Sequence, residues 1–474
     1  MDLRDGDRLN STSTPLSAHF IGIGGSGMSG IACIMHERGH QVTGSDLKES
    51  RFTRVLSEAG VPVTIGHDAA CIGDARVVVV STAVSERNPE LIEAKARGIE
   101  IWQRAKMLAW LAGDSTTVAV AGTHGKTSTS AMVATMLEGA GANPTFVVGG
   151  EVVKFGRNAM NGAGPHYVVE ADESDGSFMH LTPSVALVTN VEADHLDHYG
   201  SLEAVERTFV DFLSRVPASG VIIACADDSR LLELASGADA KILSYGFAPN
   251  AAVRCHSLTP KGMGFEFIID FPDGSRQEIF LPVPGEHMVQ NATGALAVAY
   301  HLAIDIEAAA RAVETYRGVK RRFDRIGQAN DITIYDDYAH HPTEVKATLK
   351  AARDCGFSRI CAVFQPHRYT RTEAFAQEFG DAFGDADHLI LMDVYSAGEP
   401  PIPGVSGKTL VDSVLEAYPR HRVTYLPHRT DVSVYLAKKL RPGDVLMTMG
   451  AGDVSGIGVD VLRLLEEQGS LQCR

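Results

Sequence analysis

Nine residues, Ala121-Gly122-Thr123-His124-Gly125-Lys126-Thr127-Ser128-Thr129, follow the apolar run TVAVA and open a helical pattern. A glycine-bearing turn between a strand and a helix offers backbone N–H groups and the helix dipole to an anion. Lys126 adds a positive charge for terminal phosphates, and Thr127 a hydroxyl for Mg2+. The turn is more compact than GxxxxGK[ST], since Val120 stands five before Gly125 and Gly122 only three before it. Mononucleotide binding is the chemistry this pattern serves.

A second glycine loop, Gly22-Ile23-Gly24-Gly25-Ser26-Gly27, fits GxGxxG after the strand AHFIGI. Such a loop lets a pyrophosphate approach the backbone at a helix N-terminus, and Asp46, ending the next strand, is placed to meet a ribose hydroxyl. A nicotinamide dinucleotide and a uridine diphosphate sugar share that diphosphate and ribose, and a simple packing turn also fits. The loop by itself does not choose.

Two later segments end apolar runs in acid: VVEADESD, with Glu170, and TNVEADHLDH, with His195. Carboxylates with few thiols favour Mg2+ or Mn2+ over zinc, although a solvated helix start attracts acids equally well. Further along come GEHMVQNA, with His287 and Asn291, then RRFDR, YDDYAHHP and FQPHRYTR. Each also suits a plainer role as a turn cap, an exposed arginine pair or a capped helix start.

Elements that alternate short β-branched strands with helices must position these groups. The pattern predicts strands at 18–23, 77–84, 116–121, 167–171, 185–190 and 221–225, with helices at 26–38, 126–139 and 202–213. On the last, Leu202, Val205, Phe209, Phe212 and Leu213 share one apolar face. A hairpin around Asp273-Gly274 is expected within 253–283, followed by helices near 288–303 and 306–316 and a basic cluster from Arg317 to Arg325. Strand–helix alternation then resumes from 332. Boundaries near 112 and 322 divide the chain into 1–112, 113–322 and 323–474.

Composition fits a multidomain globular protein: 474 residues, 45% hydrophobic and 22% charged. Its 43 basic against 59 acidic residues give a net charge of −16, which offers no general attraction to nucleic acid or an anionic membrane. No apolar run reaches a membrane span. The first residues lack the pattern of a secretory signal. Seven cysteines, never spaced CxxC, point to reduced thiols and a cytoplasmic location.

In order, IGIGGSGMSG, GTHGKTST, EADESDGSF, TNVEADHLDHYG, RRFD, YDDYAHHPTE and FQPHRYTRT closely resemble the Mur ligase family of peptidoglycan synthesis, over essentially the whole chain. The resemblance implies an α/β protein of three domains: an N-terminal Rossmann-like UDP-binding domain, a central P-loop ATPase-like domain and a C-terminal Rossmann-like domain. It implies ATP-dependent joining of L-alanine to the lactyl carboxylate of UDP-N-acetylmuramate through an acyl phosphate, by a monomer or weak homodimer. The EADESD segment lacks the lysine that later-acting members carry near the metal, which favours the first addition.

Roles carried over by the same resemblance place ATP on Gly122, Thr123, His124, Gly125, Lys126, Thr127 and Ser128, with Asn291 on adenine and Arg322 and Asp337 closing on the nucleotide. Lys126, Glu170 and His195 form the catalytic set, and Thr127, Glu170 and His195 hold Mg2+, or Mn2+. Gly22, Gly24, Gly25, Ser26, Gly27, Asp46, Ser81, Thr82 and His287 receive the UDP-sugar. Tyr338, His340, Arg368 and Arg371 surround the amino acid. One residue departs from the family pattern: Met288 stands where members often carry Asn, and a thioether cannot replace an amide's donors and acceptor. Two other classes compete. A nicotinamide oxidoreductase leaves the 122–129 loop without a task, and a nucleotide switch leaves the first domain and the late arginines unexplained.

Overall fold

The computed structural model describes residues 15–472 apart from 82 and 175; the Thr82 expectation therefore lies outside the described residues. The described residues form three sheets. The first holds β1 (Ser17–Ile21), β2 (Gln41–Asp46), β3 (Val63–Ile65), β4 (Val77–Val80) and β5 (Glu100–Gln103), parallel and in the order β3-β2-β1-β4-β5. Strand order reverses at β1, so the crevice beyond its carboxyl end is the natural ligand position. The glycine loop 22–27 starts there, and helix Ser26–Glu37 follows it.

The second sheet contains β6 (Thr116–Ala121), β7 (Thr145–Val152), β8 (Arg157–Met160), β9 (His166–Glu170), β10 (Val185–Val188), β11 (Val221–Cys225), β12 (Lys241–Gly246), β13 (Val253–Lys261), β14 (Gly264–Asp270) and β15 (Arg276–Leu281). Its order is β15-β14-β13-β12-β11-β10-β6-β9-β7-β8. The parallel strands β6, β9 and β10 are adjacent, with Val120 opposite Glu170 and Ala121 opposite Val188. The phosphate loop and both acidic segments therefore leave the sheet side by side. The buried centres of these strands are apolar on both faces because helices cover both sides of the sheet.

The third sheet is made of β16 (Asp324–Ala329), β17 (Ile332–Asp337), β18 (Arg359–Phe364), β19 (His388–Leu391), β20 (Val423–Tyr425) and β21 (Asp444–Met449), in the order β16-β17-β21-β18-β19-β20. Its other pairs are parallel, but β16 runs antiparallel along one edge.

Several sequence expectations shift. The strand expected over 77–84 stops at Val80, and the helix over 306–316 stops at Val313. The 253–283 hairpin is a three-stranded meander, because β13 also pairs with β14. The end of the basic cluster opens β16, which lacks a regular apolar alternation. Leu202 is 37% exposed while Val205, Phe209, Phe212 and Leu213 are buried; at the first helical position it overhangs the contact. The first and second sheets share one continuous apolar core, whereas the third has its own on each face. No described helix is long and apolar enough to cross a membrane.

Candidate active site

The phosphate loop joins β6 to helix Lys126–Gly139, which begins without a side-chain cap. Gly122 has φ +129°, and a Cβ there would lie 2.0 Å from Thr189 Oγ1 and 3.0 Å from the Thr189 nitrogen, so only glycine fits. The segment after β10 braces this loop from outside. Thr123 N donates to Asn190 O, His124 N to Asn190 Oδ1, and Glu192 N to Thr123 Oγ1 (3.1, 2.9 and 2.9 Å). Gly125, Thr127 and Ser128 line a cavity of about 980 Å3 that extends past Asn291, Arg322 and Asp337.

Lys126 Nζ donates to Gly122 O, Thr123 O and Glu173 Oε1 (2.7, 3.1 and 2.8 Å). Burial works against its charge, but Glu173, Asp172 and Glu170 outweigh that and hold its pKa at about 12. For Glu173 burial wins over Lys126 and lifts the carboxyl to about 7; its Oε2 also lies 2.8 Å from Lys126 Nζ. Thr127 Oγ1 donates to Glu170 Oε1 (2.9 Å), while Glu170 Oε2 accepts from Gly149 N (2.7 Å). His195, with φ +52°, lies 3.6 Å from Asp194 and 3.9 Å from Glu173. Burial lowers its pKa despite Asp194, so a neutral imidazole is favoured. His195 is thus grouped with Glu173 and Asp194, while Thr127 and Glu170 pair with each other.

The third domain closes the cavity. Asp337, at the end of β17, accepts from Phe323 N and Ala339 N (both 2.7 Å). Its burial outweighs Arg322 and raises the carboxyl to about 6. Arg322 lies over the Tyr338 ring at 5.2 Å and 3.9 Å from Glu344. Asn291 stands against the loop: a Cβ on Gly125 would be 3.0 Å from its Oδ1. Met288 Sδ accepts weakly from Asn291 Nδ2 at 3.9 Å. His287 also lines this cavity, where burial and Arg322 lower it to about 4. The structure therefore places His287 in the phosphate-loop cavity, not with the glycine loop at 22–27.

His124, Glu192 and His341 gather with ligand atoms within 4.8 Å. This group joins two domains. His124 contacts Glu344 at 3.2 Å and Glu192 at 3.5 Å; burial opposes its charge, but these acids raise its pKa to about 9. Thr343 Oγ1 also donates to Glu192 (2.8 Å). Glu344 went unnoticed in the sequence, though it follows His341 at capping-box spacing and does close that box.

A smaller cavity of about 290 Å3 lies between the same domains, lined by Asp194, His195, Asp197, Arg368 and Arg371 among others. Arg371 donates to Asp194 (2.8 and 3.2 Å), and Arg368 to Asp197 (2.6 Å). Burial notwithstanding, Arg371 holds Asp194 well below the usual carboxylate range. Tyr338 and His340 stand together with ring centroids 5.3 Å apart. They reach the arginines through His367, which is 5.9 Å from His340 by ring centroid and 3.5 Å from Arg371 Nη1. Asp194 and Asp197 sit within the quoted TNVEADHLDHYG motif, but nothing local marks them as partners of arginines more than 170 residues later.

In the first domain, Gly22 N and Ile23 N donate to Ser45 O, and Gly24 N donates to Asp46 Oδ2 (2.9 Å). Asp46 thus ties the loop to β2. Ser81 follows β4 at the same end of the sheet.

Three family models match in succession: "Mur ligase family, catalytic domain" over 17–116, "Mur ligase middle domain" over 120–299 and "Mur ligase, glutamate ligase domain" over 321–452. The chain is 46% identical to the UDP-N-acetylmuramate–L-alanine ligase of Pelotomaculum thermopropionicum, covering 95% of this chain and 97% of that one. Among solved structures it resembles the UDP-N-acetylmuramate–alanine ligase of Thermotoga maritima, with TM-score 0.80 and 27% identity over 96% of this chain and 100% of that one. A murein peptide ligase from Psychrobacter arcticus also matches, with TM-score 0.72 and 26% identity over 95% and 98%. Three sheets in this order, two glycine loops at strand ends and matches spanning most of the chain lead to one assignment: the chain belongs to the Mur ligase family.

Proposed function

We propose that this enzyme joins L-alanine to the lactyl carboxylate of UDP-N-acetylmuramate, converting ATP to ADP and phosphate, in the cytoplasm as a monomer or weak homodimer. Residues 1–112 hold the UDP-sugar, 113–322 the ATP, and 323–474 the amino acid. The observation that carries this reading is the seam between the second and third sheets. There the phosphate-loop cavity with Arg322 and Asp337 and a small arginine-lined cavity both border the segment 190–197.

The lactyl carboxylate attacks the γ-phosphorus of ATP, ADP leaves and an acyl phosphate forms. The alanine amine, having lost its proton, then attacks the acyl carbon, and inorganic phosphate leaves. Two anions meet in the first step, so positive charge fixed nearby is the main requirement. Lys126 supplies it, exchanging Glu173 for phosphate oxygens while its loop carbonyls keep hold of the ammonium. Arg322 supplies more from the third domain. The oxygens of Thr127 and Glu170, with the neutral His195 and the Glu173 carboxylate that Lys126 would release nearby, suit a hard divalent cation such as Mg2+ or Mn2+. When bound, that ion neutralises phosphate charge. Acyl phosphates hydrolyse readily, and the inter-domain contacts His124–Glu344 and Thr343–Glu192 keep the third domain over the site to exclude water.

The two arginines divide their work. Arg371 and Asp194 are 7% and 6% exposed; a buried pair is costly to separate, so Arg371 stays and shapes the cavity. Arg368 and Asp197 are 34% and 32% exposed, a pair worth little. Arg368 is therefore the side chain that trades its carboxylate for that of the amino acid. A cavity of about 290 Å3 fits one small amino acid better than a peptide.

Phosphate release from ATP and Mg2+ tests this, measured with and without UDP-N-acetylmuramate and L-alanine while product mass is read alongside. Release only with both substrates, and a UDP-sugar heavier by one alanyl residue, is expected. Release independent of the sugar overturns the ligase reading. Release with the sugar and a peptide but not alanine reassigns the acceptor.

A further inference from the structure

Four residues stand in one row past the carboxyl end of the first sheet. Ser45, Ile21, Val80 and Gln103 are side by side in β2, β1, β4 and β5, so Asp46, Gly22, Ser81 and Arg104 follow in step. The first three are already read as part of the UDP-sugar site. Arg104 belongs to no motif and opens helix Arg104–Ala112.

Its guanidinium lies against the glycine loop. A Cβ built on Gly27 would stand 2.7 Å from Arg104 Nη1 and 3.3 Å from its Cδ. The loop's helix starts at Ser26 with no side-chain cap, so uncapped amides and a planar guanidinium flank the same crevice. Both kinds of donor suit phosphate oxygens, and the guanidinium fork can engage two at once. On its other side Arg104 Nη2 lies 3.8 Å from Asp172 Oδ2, with the side chains 29% and 36% exposed. An ion pair that long and that wet contributes little. It holds the guanidinium near the loop without committing it.

We infer that Arg104 binds the diphosphate of the UDP-sugar, leaving Asp172 for phosphate oxygens when the donor seats on residues 22–27. The inference rests on the reading of the first domain as the UDP-sugar site. Contact with Gly27 assigns Arg104 to the diphosphate and not to the lactyl carboxylate, which must reach Lys126 in the second domain.

Calorimetry on the full chain without ATP tests it, using UDP as the probe and uridine, measured by displacement, as the phosphate-free control. Arg104→Met is expected to weaken UDP about ten-fold or more, Arg104→Lys less, and uridine within about two-fold. ATP affinity, read on the same samples, stays unchanged and reports an intact fold. Equal losses for UDP and uridine would overturn the inference by making Arg104 a support for the loop's shape. Unchanged UDP affinity in Arg104→Met would overturn it by leaving Arg104 with Asp172. A wild-type chain that binds ATP but not UDP would instead remove the donor reading itself, and this inference with it.

Discussion

The two glycine loops both leave the carboxyl end of a central parallel strand and open a helix without a side-chain cap, yet they are held differently. The loop at 122–125 is braced from a separate segment: Asn190 takes two of its N–H groups, and a Cβ on Gly122 would strike Thr189. Its cation, Lys126, is already in place on two loop carbonyls. The loop at 22–27 is held by its neighbouring strand through Ser45 and Asp46, and its nearest cation comes from a distant helix start. The loop proposed to serve phosphoryl transfer has its charge and backbone preorganised. The loop proposed only to hold a ligand borrows its charge.

The largest expected effect breaks this contrast outright. Lys126→Met should cut turnover by about 10^3-fold while UDP affinity, read by calorimetry, stays within about two-fold of wild type. A comparable loss of UDP binding would mean the two loops are not independent. Next in size come the braces themselves. Asn190→Ala removes both side-chain hydrogen bonds to the His124 backbone, from His124 N to Oδ1 and from Nδ2 to His124 O, and should weaken ATP about ten-fold or more without changing UDP affinity. Asp46→Ala should do the reverse, since it strips the acceptor from Gly24 N. Thermal-shift titrations with each nucleotide check both variants.

A smaller effect concerns pH. His124 has a folded pKa of about 9, above its unfolded value, so its contribution to stability is full below about pH 6.5 and is lost as pH rises toward 9. The wild-type melting temperature should therefore fall between pH 7 and 9 by a few degrees more than that of His124→Gln. Parallel curves for the two proteins would show that the latch to Glu344 and Glu192 does not depend on charge. The smallest effect is expected at Met288, whose thioether meets Asn291 only at 3.9 Å. Met288→Asn should change ATP affinity by about two-fold at most; a larger change would make position 288 part of the nucleotide's recognition.

Both loops were legible in the residues because strand, turn and helix are consecutive there: the strand Thr116–Ala121 and the helix Lys126–Gly139 coincide with their predicted bounds. The edges of the sheets were less legible. Strand β16, Asp-Arg-Ile-Gly-Gln-Ala, starts at the end of the basic cluster and lacks apolar alternation, and its place comes from pairing with β17. Helix Pro342–Asp354 begins with a capping box, yet Glu344 does more than close it, since it also reaches His124 in another domain.

What the sequence by itself determined was local: which segments become strands and helices, where glycines allow a backbone to meet a phosphate, and which family's motifs stand in order. Hydrophobic period and turn chemistry act over a few residues, so they can be read without a fold. Only the tertiary structure decided that Arg371 is locked to Asp194 while Arg368 holds Asp197 loosely, that His287 lines the phosphate-loop cavity, and that Arg104 reaches Gly27. Those outcomes depend on burial and on contacts between segments up to 177 residues apart. Burial separates a fixed ion pair from an exchangeable one, and burial is a property of the packed sheets.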